Sequence, residues 1–205
     1  LNHVAVDSYA YSIRLRAESH VLNGYRGLIV TDTAATGSSA PKWVYAEQFE
    51  ADHSFWNCVE AYRGESLYLI GAWLGSSLTG RGLMVDSGFT GDVSCDPACR
   101  ISGNWLEGVY VGSGTKNVRL IGSMISDNSQ ASTGTYHGVM LDGTTDFVVS
   151  GLRSTGAKQG YGVWLNTGCD YFTVAANNLR GNATGGLYNS VGTSTGRREV
   201  SGTIS

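Results

Sequence analysis

The sequence is poor in proline and has no long apolar run. It contains two prolines among 205 residues, and its apolar residues come in short runs such as Leu28-Ile29-Val30. A helix that crosses a membrane needs about 18 or more apolar residues in succession, so none is expected here. The low proline content also argues against a proline-rich disordered chain, and we expect the chain to fold.

The sequence also lacks any concentration of charge of one sign. The formal net charge is -3, and the charged side chains are scattered singly along the chain. Neither a basic stripe for nucleic acid nor a polybasic patch for a membrane surface is present. The sequence also lacks a phosphate-binding loop, a dinucleotide fingerprint and a nucleophile elbow. We therefore expect no nucleic-acid partner and no membrane insertion, whereas a neutral or acidic ligand such as a polysaccharide stays open.

Cysteine and histidine do not form a metal-binding pattern. Of the four cysteines, only Cys95 and Cys99 lie close together, and no histidine is clustered with them. This spacing favours two free thiols or one local disulfide over a zinc site. The four histidines never fall at metal-ligand spacing either, and we predict neither a metal nor a cofactor.

Glycine, by contrast, is abundant and periodic. A short apolar motif that begins with glycine recurs along the chain, at Gly27, Gly82, Gly108, Gly138, Gly162 and Gly186. The last three glycines are 24 residues apart, the earlier intervals are 30 and 26 residues, and the first interval of 55 corresponds to two repeats. The repeat without a glycine is expected near residues 54–57. A recurring unit of this length indicates a solenoid.

A second apolar run follows the later glycine motifs by about ten residues. It occupies residues 67–70, 118–121, 147–149 and 172–174. These runs are short, alternate with period two and end in Gly, Asn, Asp or Ser, which is typical of strands. Equivalent strands one repeat apart bury their inner faces only when they stack. We predict an all-β fold, a right-handed single-stranded parallel β-helix of about 7–8 coils, each of roughly 24–30 residues.

No linker divides the chain, so one β-helix domain is expected over residues 1–205. Leu1 is not a start methionine and residues 200–205 resemble an unfinished strand, so we expect a piece of a longer protein. Two stretches fit the repeat poorly. Residues 87–105 do not register with it, and residues 41–62 would also allow a short helix, although strands are favoured there.

The middle position of each glycine-anchored strand is predicted to face outward, because the positions on either side of it are aliphatic. This column reads Ile29, Trp56, Met84, Tyr110, Met140, Trp164 and Tyr188. Contiguous apolar surface marks an interface or a binding groove. It could pack against loops or against other copies in a homotrimer, or it could support sugar rings. In the second case the substrate-binding residues are Trp56, Tyr110, His137, Trp164 and Tyr188.

Three carboxylates are the candidates for acid and base catalysis. Asp86 and Asp142 end equivalent strands two coils apart, which corresponds to roughly 9.5 Å at a strand spacing of about 4.8 Å. An inverting glycosidase holds its two carboxyl groups about 6.5–9.5 Å apart. Glu107 begins the strand of the intervening coil. The alternative is structural, because aspartate at a turn commonly accepts hydrogen bonds from its own backbone.

The coils from Gly82 to Gly202, with their Gly-Val-x-Leu-Asx and Phe-x-Val motifs, resemble the pectate-lyase-like β-helices and especially bacteriophage tailspikes. The resemblance implies a homotrimer in the virion tail that binds bacterial surface polysaccharide, which many tailspikes, though not all, also cleave as hydrolases or lyases. The calcium-binding aspartate cluster and catalytic arginine of the pectate lyases have no match in this sequence, so that mechanism is not carried over. Fold similarity does not decide the reaction.

Two further interpretations stay open at this point. The chain could be a non-catalytic shaft or adhesin of a trimeric fibre, with its binding tip elsewhere. It could also be a secreted cellular polysaccharide lyase or epimerase, which would be a monomer.

Overall fold

The computed structural model describes residues 3–16, 19–34, 39–192 and 196–204, and this part of the chain contains short strands and no helix. The strands are β1 (Val4–Val6), β2 (Arg14–Leu15), β3 (His20–Leu22), β4 (Leu28–Val30), β5 (Val44–Glu47), β6 (Glu50–Asp52), β7 (Val59–Ala61), β8 (Ser66–Ile70), β9 (Trp73–Gly75), β10 (Leu83–Val85), β11 (Asp92–Cys95), β12 (Arg100–Ser102), β13 (Val109–Val111), β14 (Lys116–Ile121), β15 (Met124–Ser126), β16 (Val139–Leu141), β17 (Thr145–Ser150), β18 (Arg153–Thr155), β19 (Tyr161–Leu165), β20 (Asp170–Ala175), β21 (Gly185–Asn189) and β22 (Arg198–Ser201).

The strands form three parallel sheets that run along the axis of a solenoid of about seven turns. Sheet 1 has the order β1-β4-β7-β10-β13-β16-β19-β21, and sheet 2 has the order β2-β5-β8-β11-β14-β17-β20-β22. Sheet 3 contains β3-β6-β9-β12-β15-β18. Every strand pairs with its equivalents in the neighbouring coils, as in the register of Val139 with Val163. The predicted parallel β-helix is confirmed.

The core is a continuous stack of aliphatic and aromatic side chains inside the solenoid. In sheet 1 the residues on either side of the strand centre point inward, so that Val109 and Val111, for example, are fully buried. The inner face of sheet 2 adds larger side chains, including the stacked rings of Phe147 and Phe172 with centroids 4.8 Å apart. Period-two alternation therefore separates core from surface as the sequence pattern predicts.

The turn from sheet 2 to sheet 3 contains one residue with positive φ in every coil in which the structure describes the whole turn. These residues are Gln48, Gly71, Ala98, Gly122, Gly151, Ala176 and Gly202. The left-handed conformation is accessible to glycine at no steric cost, which explains why glycine follows several of the second-sheet strands. The amides of this turn donate to the equivalent turn of the next coil, as Gly122 does to the carbonyl of Ser150 at 3.0 Å.

A ladder of buried amide side chains supports the turn from sheet 3 to sheet 1. The side-chain nitrogen of Asn104 donates to Asn128 at 2.9 Å, that of Asn128 to Gln159 at 2.9 Å, and that of Gln159 to Asn182 at 2.9 Å. Each amide both donates and accepts, so the buried polar groups of successive coils satisfy one another. The long loop after Asn128 hid this ladder in the sequence, because it lengthens the interval to Gln159 to 31 residues, against 24 and 23 for the other two steps.

Two of the predictions about the repeat need correction. The coil expected at residues 54–57 is instead Val59–Ala61, where Cys58 occupies the position that glycine has in the six coils from Gly27 to Gly186 that show the motif. Its outward residue is Glu60, and Trp56 lies in the preceding turn. Sheet 3 was not foreseen, because its strands typically bury a single central residue and so lack the alternating apolar pair of sheet 1.

The stretches that fitted the repeat poorly do form strands. Within residues 41–62 the structure has β5, β6 and β7 and no helix, and within residues 87–105 it has β11 and β12. All four cysteines are free and buried, so Cys95 and Cys99 are two thiols and not a disulfide. In the part of the chain that the structure describes, no helix is long and apolar enough to cross a membrane.

Candidate functional site

The outer face of sheet 1 carries one outward side chain at the centre of each strand. The register places these side chains in a single column, Ala5, Ile29, Glu60, Met84, Tyr110, Met140, Trp164 and Tyr188. The residues just before the inward glycines form a second column beside it, which includes Arg26, Arg81, Glu107, His137 and Tyr161. The two columns together make the candidate site.

Four aromatic side chains meet at one end of this face, and we call them the aromatic cluster: His137, Tyr161, Trp164 and Tyr188. The imidazole of His137 stacks on the indole of Trp164, with centroids 4.4 Å apart and planes 19° apart. Trp164 and Tyr188 are 4.2 Å apart, and Tyr161 contacts both of them edge-on or tilted at 5.4 and 5.2 Å. Strand spacing explains the contacts, since equivalent positions of adjacent coils lie about 4.8 Å apart.

His137 is buried within this cluster and neutral at neutral pH. The backbone N–H of Tyr161 donates to its Nδ1 at 3.2 Å, so the ring proton lies on Nε2. Burial lowers the pKa of His137 to about 4, because the imidazolium would lose its hydration. At the same place, the indole N–H of Trp164 is buried without a hydrogen-bond partner among the described residues.

A second group, the Arg81 cluster, lies on the same face but nearer the N-terminal coils. It contains Arg81, Glu107, Tyr110 and Asp142. Nε of Arg81 donates to Oε2 of Glu107 at 2.7 Å, and the guanidinium lies 4.7 Å from the centroid of the Tyr110 ring. The Tyr110 hydroxyl donates to Asp142, and burial together with the Asp142 carboxylate raises the pKa of Tyr110. The cluster therefore links one end of the strands to the other through charged and phenolic groups.

The first coils of sheet 1 repeat this arrangement around Glu60. Its side chain is fully buried, lies 2.7 Å from Nε of Arg26 and accepts a hydrogen bond from Asn57 at 2.7 Å. Burial and the nearby Glu60 carboxylate raise the pKa of Tyr62. A buried carboxylate requires such partners, because its desolvation would otherwise be too costly.

The three predicted catalytic carboxylates do not converge on one point. Asp86 and Asp142 end β10 and β16 two coils apart, as predicted, with Gly112 between them. Glu107 precedes β13 at the opposite end of the strands, about 16 Å away at about 3.3 Å per residue. Asp86 accepts a hydrogen bond from the amide of Gly88 at 3.0 Å, which is a turn role. Asp142 instead accepts from Asn166 of the next coil at 2.9 Å.

Four of the five predicted substrate-binding residues lie on this face, and one does not. The four are Tyr110, His137, Trp164 and Tyr188. Trp56 lies in a turn, and Glu60 occupies the outward position that was predicted for it. Sequence reasoning missed Arg81 and Tyr161. Both stand directly before the repeat glycine, as His137 does, so comparing that position across the repeats would have found them.

The described residues contain no group of three or more His, Cys, Asp or Glu side chains that could hold a metal ion. That observation is limited to those residues, and the predictions of no metal and no cofactor stay predictions.

The chain matches no protein-family model and no curated protein sequence. Among solved structures it is similar to the A-module of the Azotobacter vinelandii mannuronan C-5 epimerase AlgE6, with a TM-score of 0.51 and 15% sequence identity. The match covers 98% of this chain and 80% of that chain. At this identity the similarity shows the β-helix fold alone.

Proposed function

We propose that the chain is a polysaccharide-binding β-helix that holds a sugar chain on the outer face of sheet 1. The observation that carries the proposal is the aromatic cluster. Tyr188 is 38% exposed, and Trp164 and Tyr161 are partly exposed beside it. Pyranose rings offer apolar C–H faces to such a surface and hydroxyl groups to its polar edges, so stacking and hydrogen bonding can act together.

The shape of the face fits a polymer better than a small molecule. Its two columns extend along the solenoid axis through successive coils, and each coil adds about 4.8 Å. The Arg81 cluster lies on the same face as the aromatic cluster, in the preceding coils, so one extended ligand would reach both groups. The solved structure that the fold resembles belongs to an enzyme named for mannuronan, a polysaccharide, which supports this class of ligand.

Affinity electrophoresis tests the binding proposal directly. Native gels containing mannuronan, or capsular or lipopolysaccharide from bacterial hosts, should retard the wild-type chain. The double variant Trp164→Ala/Tyr188→Ala should be retarded much less than the wild type. Trp73→Ala is the matched control, because Trp73 is 38% exposed on the outer face of sheet 3, away from the proposed site. Equal loss of retardation in the control and the double variant would contradict the proposal.

A catalytic role on the same face is the second candidate, and the Arg81 cluster favours it. A phenol held between a guanidinium and a carboxylate can donate or accept a proton at a sugar carbon or oxygen, and Glu107 and Asp142 are carboxylates in the same group. Glycan incubated with the protein would be assayed for new reducing ends, unsaturated sugars and epimerised residues. Tyr110→Phe should abolish any activity found while glycan retardation persists, and activity that survives would exclude Tyr110.

The tailspike form of this function, a homotrimer in the virion tail that recognises host polysaccharide, is proposed on the sequence resemblance. The competing forms are a non-catalytic fibre shaft and a secreted cellular epimerase or lyase. Light scattering distinguishes the cellular enzyme from the other two forms. The tailspike and the shaft require a trimer, whereas the cellular enzyme is expected to be a monomer. A monomer at all concentrations would contradict the tailspike form.

A further inference from the structure

The outer face of sheet 2 carries a groove that the proposed function does not use. It follows the solenoid axis and consists of two adjoining hollows of about 550 and 370 Å³, which share Asp146 and Val148. The first hollow begins at Tyr68 and the second reaches Tyr171. Sheet 2 and sheet 1 form different sides of the solenoid, so a ligand in this groove would not touch the aromatic cluster.

The floor of the groove begins on an aromatic surface. Tyr45 and Tyr68 occupy equivalent outward positions of adjacent coils, and their rings stack with centroids 5.0 Å apart and planes 19° apart. The guanidinium of Arg14 lies over the ring of Tyr45, 4.8 Å from its centroid. The stack presents partly exposed ring surface at the entrance to the first hollow.

One wall of the groove is built from residues in a strained backbone conformation. Asn117, Asp146 and Tyr171 occupy the same position of three successive coils, and all have φ between 50° and 55°. Asparagine and aspartate tolerate this left-handed region, but for a bulky residue such as tyrosine it is an outlier. Tyr171 is 53% exposed, so its ring is available to a ligand in the groove.

Donors, acceptors and opposite charges alternate along the groove. Arg119 lies at its centre with 58% of its side chain exposed, and its Nε is 3.5 Å from Oδ2 of Asp96. Asp92, Asn117 and Asp146 line the wall beside it. These side chains offer both donors and acceptors to a ligand rich in hydroxyl groups, each of which donates and accepts.

We propose that this groove is a second glycan-binding site, in which a sugar chain lies along the axis between the Tyr45–Tyr68 stack and Tyr171. From the coil of Tyr68 to that of Tyr171 is four coil steps, or about 19 Å, which is enough for a short oligosaccharide. The rings at the two ends stack on sugars, and Asn117, Arg119 and Asp146 bind hydroxyl groups between them. The site is non-catalytic and holds the same polysaccharide that sheet 1 binds. The inference therefore rests on the proposed function.

The experiment uses conservative variants, so that loss of binding is not loss of fold. Tyr171→Asn keeps a residue that accepts positive φ, and Tyr68→Thr keeps a residue that favours strands. Affinity electrophoresis in mannuronan and in host capsular polysaccharide is run on wild type, on the sheet 1 variant Trp164→Ala/Tyr188→Ala, on Tyr68→Thr/Tyr171→Asn, and on all four changes together. Thermal unfolding and light scattering are recorded for every variant.

The sheet 1 variant should keep weak retardation, and the four changes together should remove it. Tyr68→Thr/Tyr171→Asn alone should weaken binding about three- to tenfold, as expected for the loss of one or two stacking contacts. The inference is overturned if the wild type binds and the sheet 1 variant does not, or if the sheet 2 variant binds as tightly as wild type. It is also overturned if the sheet 2 variant changes oligomeric state in place of glycan binding. If the wild type binds no glycan, the proposed function and the inference that rests on it are both overturned, whereas the preceding outcomes overturn the inference alone.

Discussion

Along the outer face of sheet 1, the coils from Arg26 to Glu107 carry buried ion pairs, whereas those from His137 to Tyr188 carry stacked rings. The backbone is the same in both regions, since each side chain leaves the centre or the start of an equivalent strand. In the first region a carboxylate is buried against arginine, as in the pair of Glu60 and Arg26. In the second, neutral rings contact one another and leave Tyr188 exposed.

The difference shows that a solenoid column can change its role along the axis without a change of fold. Buried charges hold their partners rigidly and are costly to disturb, whereas stacked rings leave surface for a ligand. We therefore expect variants in the ion-pair region to affect stability, and variants in the aromatic cluster to affect binding. Four predictions test this division, in order of decreasing expected effect.

Glu60→Ala should reduce the free energy of unfolding by about 3–5 kcal/mol, because it leaves the Arg26 guanidinium without its buried carboxylate partner. Urea denaturation measures the change. Glu47→Ala is the control, since the pair of Glu47 with Arg14 is exposed and should be worth less than about 1 kcal/mol. Similar losses in the two variants would show that burial does not set the strength of these pairs.

His137 should make the protein less stable as pH falls from about 6.5 to about 4. Its pKa in the folded state is about 4, below its ordinary value of 6.5, so the unfolded chain takes up a proton before the folded chain does. The stability that is present above pH 6.5 is therefore lost across this window, by at most about 3 kcal/mol.

His137→Gln, which cannot titrate, should show a correspondingly shallower loss of stability over the same pH range. The two chains are compared by urea denaturation at matched pH values, so that the carboxylates common to both contribute equally. Parallel stability curves would place the His137 imidazole in contact with solvent and contradict its burial in the cluster.

Trp164→Ala should weaken polysaccharide binding about tenfold, or about 1.4 kcal/mol, through loss of the stacking surface. Met84→Ala, at the equivalent position in the coil that bears Arg81, should change binding by less than about twofold. Quantitative affinity electrophoresis gives both values. Equal effects would remove the distinction between the two regions of the face.

Tyr110→Phe should reduce the free energy of unfolding by about 0.5–1.5 kcal/mol, since it removes only the hydrogen bond to Asp142. The ring and its contact with the Arg81 guanidinium remain. Urea denaturation is again the measurement, and Tyr171→Phe is a control on an exposed tyrosine. A loss above about 3 kcal/mol would mean that the hydroxyl supports more of the face than this hydrogen bond.

The sequence predicted the coils well where glycine and aliphatic residues recur at a constant interval. Gly138, Gly162 and Gly186 are equivalent in the structure, and a side chain at Gly138 would approach the backbone carbonyl oxygen of Gly162 in the next coil to 2.7 Å. Glycine is required there by close contact between neighbouring chain segments, so its spacing is a direct signal of the coil. The third coil departs from the pattern because Cys58 stands in place of glycine. Without that glycine, the sequence analysis placed the strand at the aromatic residues 55 and 56.

The candidate site was less accessible to prediction. Period two placed Tyr110, Trp164 and Tyr188 on the outside, and the structure confirms that placement. The partners of these rings come from the adjacent column, one coil away, so the contact of Arg81 with Tyr110 has no short-range signal in the chain. Of the three carboxylates, Asp86 and Asp142 follow their strands, whereas Glu107 precedes its strand and so lies a strand length away from both.

The repeating pattern was enough to predict the solenoid, because each coil has the same inward positions and the buried faces require stacking. It also predicted most of the side chains that point outward, but it assigned Trp56 to the position that Glu60 occupies. Which of these side chains meet is known only from the structure, because loops of different length change the interval between equivalent residues. The pairs of Arg26 with Glu60 and of His137 with Trp164, and the groove between Tyr68 and Tyr171, depend on that register.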